Sequence, residues 1–95
     1  MTGPEAIQRA INGDRTNQTA SILYRWASAI GRKAAPIPLA ATLAKRAVDE
    51  LVYPHHAQAN TNADLAAYFG MTVKEWAAIR PHYVRITAAI KKAAA

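Results

Sequence analysis

Cysteine is absent from the 95 residues, which removes disulfides, thiolate nucleophiles and cysteine metal ligands from consideration. Glycine is scarce, at four residues, and no glycine cluster forms a phosphate-cradling loop. Aromatics are few, one Phe, two Trp and four Tyr, and Trp26, Trp76 and the tyrosines at helical spacing read as core or interface residues, so an RNA-binding reading lacks its usual stacking surface and ranks third. No run reaches the roughly 18 apolar residues of a membrane span, and the N-terminus shows no charged-then-apolar leader. A cytoplasmic protein without a membrane partner is therefore expected. No segment alternates with period two, so strands are not indicated. A nucleophile elbow and a carboxylate pair with reason to be buried are both missing, so neither an enzyme nor a cofactor is expected.

What is present is alanine. The 23 alanines favour helix more than any other residue, and they make close helix packing rather than large side chains the source of the core. The expectation is one all-α domain over residues 1–95, a compact bundle of about five to six short helices. Twelve Lys and Arg against six Asp and Glu leave a net charge of +6. That excess favours nucleic acid, an anionic membrane surface or an acidic protein, and charge alone does not choose among them.

Along the chain, residues 1–3 are expected to fray, and Pro4 and Glu5 suit the first turn of a short helix. Ala6, Ile7, Ala10 and Ile11 form its apolar face, and Asn12-Gly13-Asp14 stops it. Thr16, Asn17 or Thr19 caps a second helix striped by Ala20, Ile22, Leu23, Trp26, Ala27 and Ile30. Gly31 reads as its C-terminal stop. An extended connector over Ala34 to Pro38 leads to a third helix from near Pro38 to about Val52, with Pro54 beyond it. Lys45 and Arg46 precede Asp49 and Glu50 at helical spacing, as surface pairs worth about 0.3–0.5 kcal/mol. Residues 54–60 read as a linker between an N-terminal half, 1–53, and a C-terminal half, 61–95. His55 and His56 belong to that linker; with only His82 besides, no zinc-site spacing exists and no metal is expected.

The stretch Asn62 to Ile79, NADLAAYFGMTVKEWAAI, carries the most specific signal. Leu65, Phe69, Met71, Trp76 and Ile79 are apolar, Ala66 is small where a second helix must approach, and Gly70 tolerates the positive φ of a tight turn. Thr61 or Asn62 caps the first helix, and Thr72 with Glu75 forms a capping box for the second. All seven constrained positions carry a suitable residue, so the stretch resembles the helix-turn-helix DNA-binding superfamily of bacterial, phage and plasmid regulators, with the motif at about 62–80. Pro81 then either kinks the second helix or starts a new one, with Tyr83, Ile86 and Ile90 continuing an apolar stripe and Ala93 to Ala95 fraying.

The resemblance implies that the second helix enters the major groove of double-stranded DNA. Opposite Trp76 and Ile79, the groove-facing candidates are Thr72, Val73, Lys74, Ala77 and Ala78. Lys74 suits a guanine edge or a phosphate, Thr72 and the first-turn amides suit a phosphate, and Val73, Ala77 and Ala78 suit thymine methyls. The surface lacks Arg, Asn and Gln for bidentate base contacts, which implies modest sequence specificity. Arg80, His82 and Arg85 suit flanking phosphates, as do Arg25 on the second helix and Arg32 and Lys33 just past its Gly31 stop; a solvated basic face accounts equally for these six. Before that second helix, the turn between Ile11 and Thr19 is too long for the motif's tight joint. The functional expectation is a DNA-binding regulator or accessory factor, acting as a homodimer joined through Tyr83, Ile86 and Ile90 or through the N-terminal helices. The alternative is a helical protein-interaction module, an adaptor or inhibitor docking on an acidic or nucleic-acid-binding partner. In it, the same small apolar residues would serve a helix-to-helix contact.

Overall fold

Threonine opens four of the helices. Thr2, Thr16, Thr61 and Thr72 each sit in extended backbone, and each side chain accepts a hydrogen bond from the amide three residues on. That contact satisfies a donor the helix itself leaves orphaned. The computed structural model describes residues 1–53, 55 and 61–95. Among them run α1 (Gly3–Ile11), α2 (Asn17–Ala34), α3 (Ala40–Val52), α4 (Asn62–Tyr68) and α5 (Val73–Ala94), with no strand. The fold is all-α, as expected, although α2 with 18 residues and α5 with 22 are long rather than short. Apart from His55, the linker expected over 54–60, with Pro54 and His56, lies outside the described residues.

The core forms where α2, α3 and α5 meet, with α1 packed across them. Leu23, Ala27, Leu43, Ala44, Ala47, Val48, Ile86 and Ile90 are all essentially inaccessible, so alanine does bring the helices close. Gly31 marks a close approach of α2 to α3 and is no helix stop: α2 runs on to Ala34. A β-carbon on Gly31 would lie 2.8 Å from the Ala44 Cβ and 3.0 Å from the Ala40 carbonyl oxygen. The glycine is needed for close approach rather than for a turn.

The start of the chain also departs from expectation. Thr2 caps α1, and a β-carbon on Gly3 would fall within 2.5 Å of the Trp26 ring, so these residues are packed rather than frayed. Ile11, expected on the apolar face, is 46% exposed. The α1–α2 joint is shorter than the span from Ile11 to Thr19 suggested. Gly13 takes φ +104°, and Gly13 and Asp14 donate back to Ala10 and Arg9, which is the Schellman arrangement. The Asp14 carboxylate then accepts from the Thr16 amide and from both threonine hydroxyls, Thr16 at 2.8 Å and buried Thr19 at 2.7 Å.

α5 is one helix that continues through Pro81 rather than starting anew there. The proline removes one helical hydrogen bond, but it and Ala77 are both exposed, so the carbonyl left without a helical donor lies where solvent can reach it. Trp76 before it and Tyr83, Ile86 and Ile90 after it pack into one core, which holds both halves in line. At its far end the helix includes Ala93 and Ala94 rather than fraying from Ala93.

Candidate nucleic-acid interface

The hairpin of α4 and α5 is fixed by local chemistry on both sides of a four-residue turn. α4 opens with a capping box in which Thr61 and Asp64 exchange backbone hydrogen bonds, a box made with Asp where Glu is the usual partner. It closes at Gly70, φ +67°, where Gly70 donates to Ala67 at 3.1 Å and Met71 to Ala66 at 2.8 Å. This is again a Schellman motif. One residue later Thr72 starts α5 with its own box: the Thr72 amide donates to Glu75 Oε1 at 2.9 Å, and the Glu75 amide to Thr72 Oγ1 at 3.1 Å.

Aromatic packing clamps the hairpin from behind. The Phe69 ring stacks on Trp76 at 5.4 Å and 17°, and Tyr83 meets Trp76 edge-on at 5.4 Å, both favourable ring geometries. Trp76 is wholly buried, and its indole Nε1 donates to Asn62 Oδ1 at 3.3 Å, so Asn62 anchors the second helix while Thr61 caps the first. Leu65 and Ala66 are buried, and Phe69, Met71 and Ile79 are half-buried. The constrained positions all face inward except Gly70, whose role is its backbone angle.

This inward lock leaves Thr72, Val73, Lys74, Ala77 and Ala78 together on the exposed side of the first turns of α5, with Val73 57% exposed. Arg80 and Arg85 are exposed and His82 is half-buried. The Arg85 guanidinium donates to His82 Nδ1 one turn back. Arg25 and Arg32, seven apart, share the solvent side of α2. Lys33 lies elsewhere, lining a groove with Ile30, Ala34 and Ala89. Ala89 is about 22 Å along the axis from Lys74, at 1.5 Å per residue, so Lys33 joins the far half of α5 and not the first turns.

The start of α5 is electrostatically occupied. The Thr72 backbone amide, then its hydroxyl, hold the Glu75 carboxyl below its ordinary pKa, which keeps a negative charge at the positive end of the helix dipole. A phosphate at this end would share it with a carboxylate, which leaves Lys74 as the charge available to an anion there.

Other residues position this surface without having stood out in the sequence. Arg46 is almost buried and pairs with Glu50 at 3.3 Å, while Glu50 also accepts the Tyr83 hydroxyl at 2.5 Å. Asp49 accepts the Tyr24 hydroxyl at 2.6 Å, and the Lys45 ammonium sits over the Tyr24 ring. The two carboxylates expected in surface pairs therefore receive phenols from α2 and α5, and Arg46 additionally covers the Tyr68 ring of α4. The i, i+4 spacing signalled the Arg46–Glu50 pair but not its burial, and the expected Lys45–Asp49 pair gives way to the contact of Lys45 with Tyr24. Burial, and then the carboxylate each one meets, raise both phenols well above their ordinary value.

Tyr83, Ile86 and Ile90, expected as one possible dimer contact, are buried in the chain's own core; a contact through them is overturned, because they hold α5 to α2 and α3. Among the described residues no group of three His, Asp or Glu is placed to hold a metal ion, and no helix is long and apolar enough to cross a membrane. His55 instead packs edge-on against Tyr53. Fold and surface together define a class: a small all-α bundle that presents one side of a clamped helical hairpin to solvent. No protein-family model, curated protein or solved structure matches the chain.

Proposed function

We propose that this chain is a small basic DNA-binding protein, a transcriptional regulator or DNA-associated accessory factor, that docks on duplex DNA through α4, the Gly70 turn and α5 as a helix-turn-helix. The observation that carries the reading is the sidedness of α5. Trp76 is locked behind the helix while Thr72, Val73, Lys74, Ala77 and Ala78 stand exposed on its first turns. The two alanines let the helix backbone approach a groove, Lys74 reaches a guanine edge or a phosphate, and Val73 suits a thymine methyl. Such a set discriminates weakly between bases. A pair of copies reading two half-sites would restore affinity, and with Tyr83, Ile86 and Ile90 engaged internally, the N-terminal helices, where Ile11 is exposed, are the surface left for that contact. The test is an anisotropy titration on mixed genomic fragments at two salt concentrations. Affinity that falls steeply with salt is expected, and no binding at low salt ends the proposal.

One observation favours the protein-interaction alternative: Tyr68 and Val73, 59% and 57% exposed, lie on either side of the turn, a feature that also suits a helix-to-helix contact. Lys74→Ala separates the two. Loss of DNA retention in a folded variant supports the first reading. Retained DNA with a lost protein partner supports the second.

A further inference from the structure

Because α5 is unbroken at Pro81, its exposed side extends far beyond the first turns. Positions 74, 78, 81, 85, 88 and 92 follow one another at alternating steps of four and three, which places them on one line along a helix, and all six are exposed. The line reads Lys74, Ala78, Pro81, Arg85, Ala88 and Lys92. Its three charges are all positive, about 16 Å and then about 10 Å apart along the axis. Arg80 and Lys91 flank it, both exposed. The one acidic residue of α5, Glu75, is turned back onto the Thr72 amide. Lys33, exposed beside Ala89, adds a positive charge from α2 near the C-terminal half. On the line itself only alanines and the proline stand between the charges, with no side-chain amide to read a base, while Val84 and Glu50 border its C-terminal half beside Ala88 and Lys91.

Building on the DNA-binding reading above, the geometry points to the phosphate backbone of duplex DNA, bound along the whole length of α5 with little preference for sequence, as the ligand of this surface. Lys74, Arg85 and Lys92 each meet a phosphate, and the first turns of α5 are one end of the site rather than all of it. Lys91 and Lys92, which the helix dipole alone would explain, thereby acquire a role, and Lys92 is a binding residue that spacing within the helix-turn-helix stretch does not reveal. Charge complementarity selects the occupant. A line whose own three charges are all positive fits a polyanion, whereas a second copy of the chain would bring like charge against it.

The measurement is fluorescence anisotropy of the full chain on two short duplexes of unrelated sequence, one A·T-rich and one G·C-rich, over a salt series. Three phosphates at about −0.9 each predict a slope of log affinity against log salt near −3, with the two duplexes bound within a few-fold of each other. Arg85→Ala and Lys92→Ala should each reduce the slope by about one, and Lys45→Ala, at the α2–α3 seam, should leave it unchanged. If Lys74→Ala weakens binding while Arg85→Ala and Lys92→Ala do not, the extended site is wrong and the helix-turn-helix reading stands. No binding of any duplex at low salt removes the reading itself. A preference of tenfold or more for one duplex overturns the indifference to sequence. Poly-glutamate binding as tight as DNA reassigns the surface to an acidic protein.

Discussion

Gly31 and Gly70 are kept for unlike reasons, and the same substitution separates them. Gly31 lies inside α2, where alanine would gain about 1 kcal/mol of helix propensity, yet its β-carbon would press on the Ala44 Cβ and on a backbone carbonyl. Neither neighbour can rotate aside. Overpacking of this kind costs about 1–3 kcal/mol, so Gly31→Ala is expected to lower stability to urea despite the better helix former, and adding Ala44→Gly should return part of the loss in a non-additive way. Gly70 has open space around it but sits at φ +67°. Gly70→Ala is therefore expected to cost about 1–2 kcal/mol from backbone conformation alone, with no compensating partner substitution. The Gly70 role was legible in the sequence because a turn glycine between two helical patterns is a local signal. The Gly31 role was not, because its reason lies on α3.

The helix starts form a second level, at which side chains act within a single element. Thr72→Ala removes a cap and is expected to cost about 0.5–2 kcal/mol, read as a lower urea midpoint. Two of these starts depend on carboxylates held ionised. The Thr16 amide, followed by the Thr19 and Thr16 hydroxyls, depresses Asp14, and the Thr72 amide and hydroxyl depress Glu75. A depressed folded pKa gives stability that is present above the ordinary values of 3.8 and 4.5 and lost as pH falls through the folded ones. Thermal midpoints should thus decline on acidification below about pH 5. Asp14→Asn should start lower at neutral pH and decline less. Caps of this kind are readable in the sequence: Thr16, Thr61 and Thr72 are all candidates from their position before an apolar-periodic run, whereas the box that Asp64 completes with Thr61 emerges only in the structure.

For the whole molecule, the phenol–carboxylate contacts decide how the helices sit. Tyr24 to Asp49 ties α2 to α3, and Tyr83 to Glu50, beside Arg46, ties α5 to α3. Hydrogen bonds to charged groups contribute about 1.5–3 kcal/mol, so Tyr83→Phe should lower unfolding stability by that order. The two raised phenol pKa values carry a sign as well. The neutral phenol is favoured in the folded chain, so the contribution is complete below the ordinary value of 10 and is lost as pH rises through the folded values. The stability of the native chain should decline above about pH 10, and Tyr83→Phe should flatten that limb. Because Tyr83 also meets the ring of Trp76, the same variant tests whether the clamp behind the exposed side of α5 needs its link to α3.

What the sequence determined by itself was whatever closes within a few residues: helix after helix, the threonine starts, the positive-φ glycine between α4 and α5, and the inward set Leu65, Ala66, Trp76. The caps and the turn depend on contacts between positions three to five apart, and the inward set on a periodicity written in the same short stretch, so both can be read before the rest of the chain is placed. The tertiary structure decided the remainder. It placed Gly31 against α3, left Ile11 outside, buried the Arg46–Glu50 pair, drew Tyr83, Ile86 and Ile90 into the core, and carried α5 unbroken past Pro81. Each of these depends on which element lies opposite, and burial is shared between helices rather than written in one of them. The positive line from Lys74 to Lys92 belongs to both levels: its spacing is in the sequence, but only packing showed that the helix is continuous and which side of it faces water.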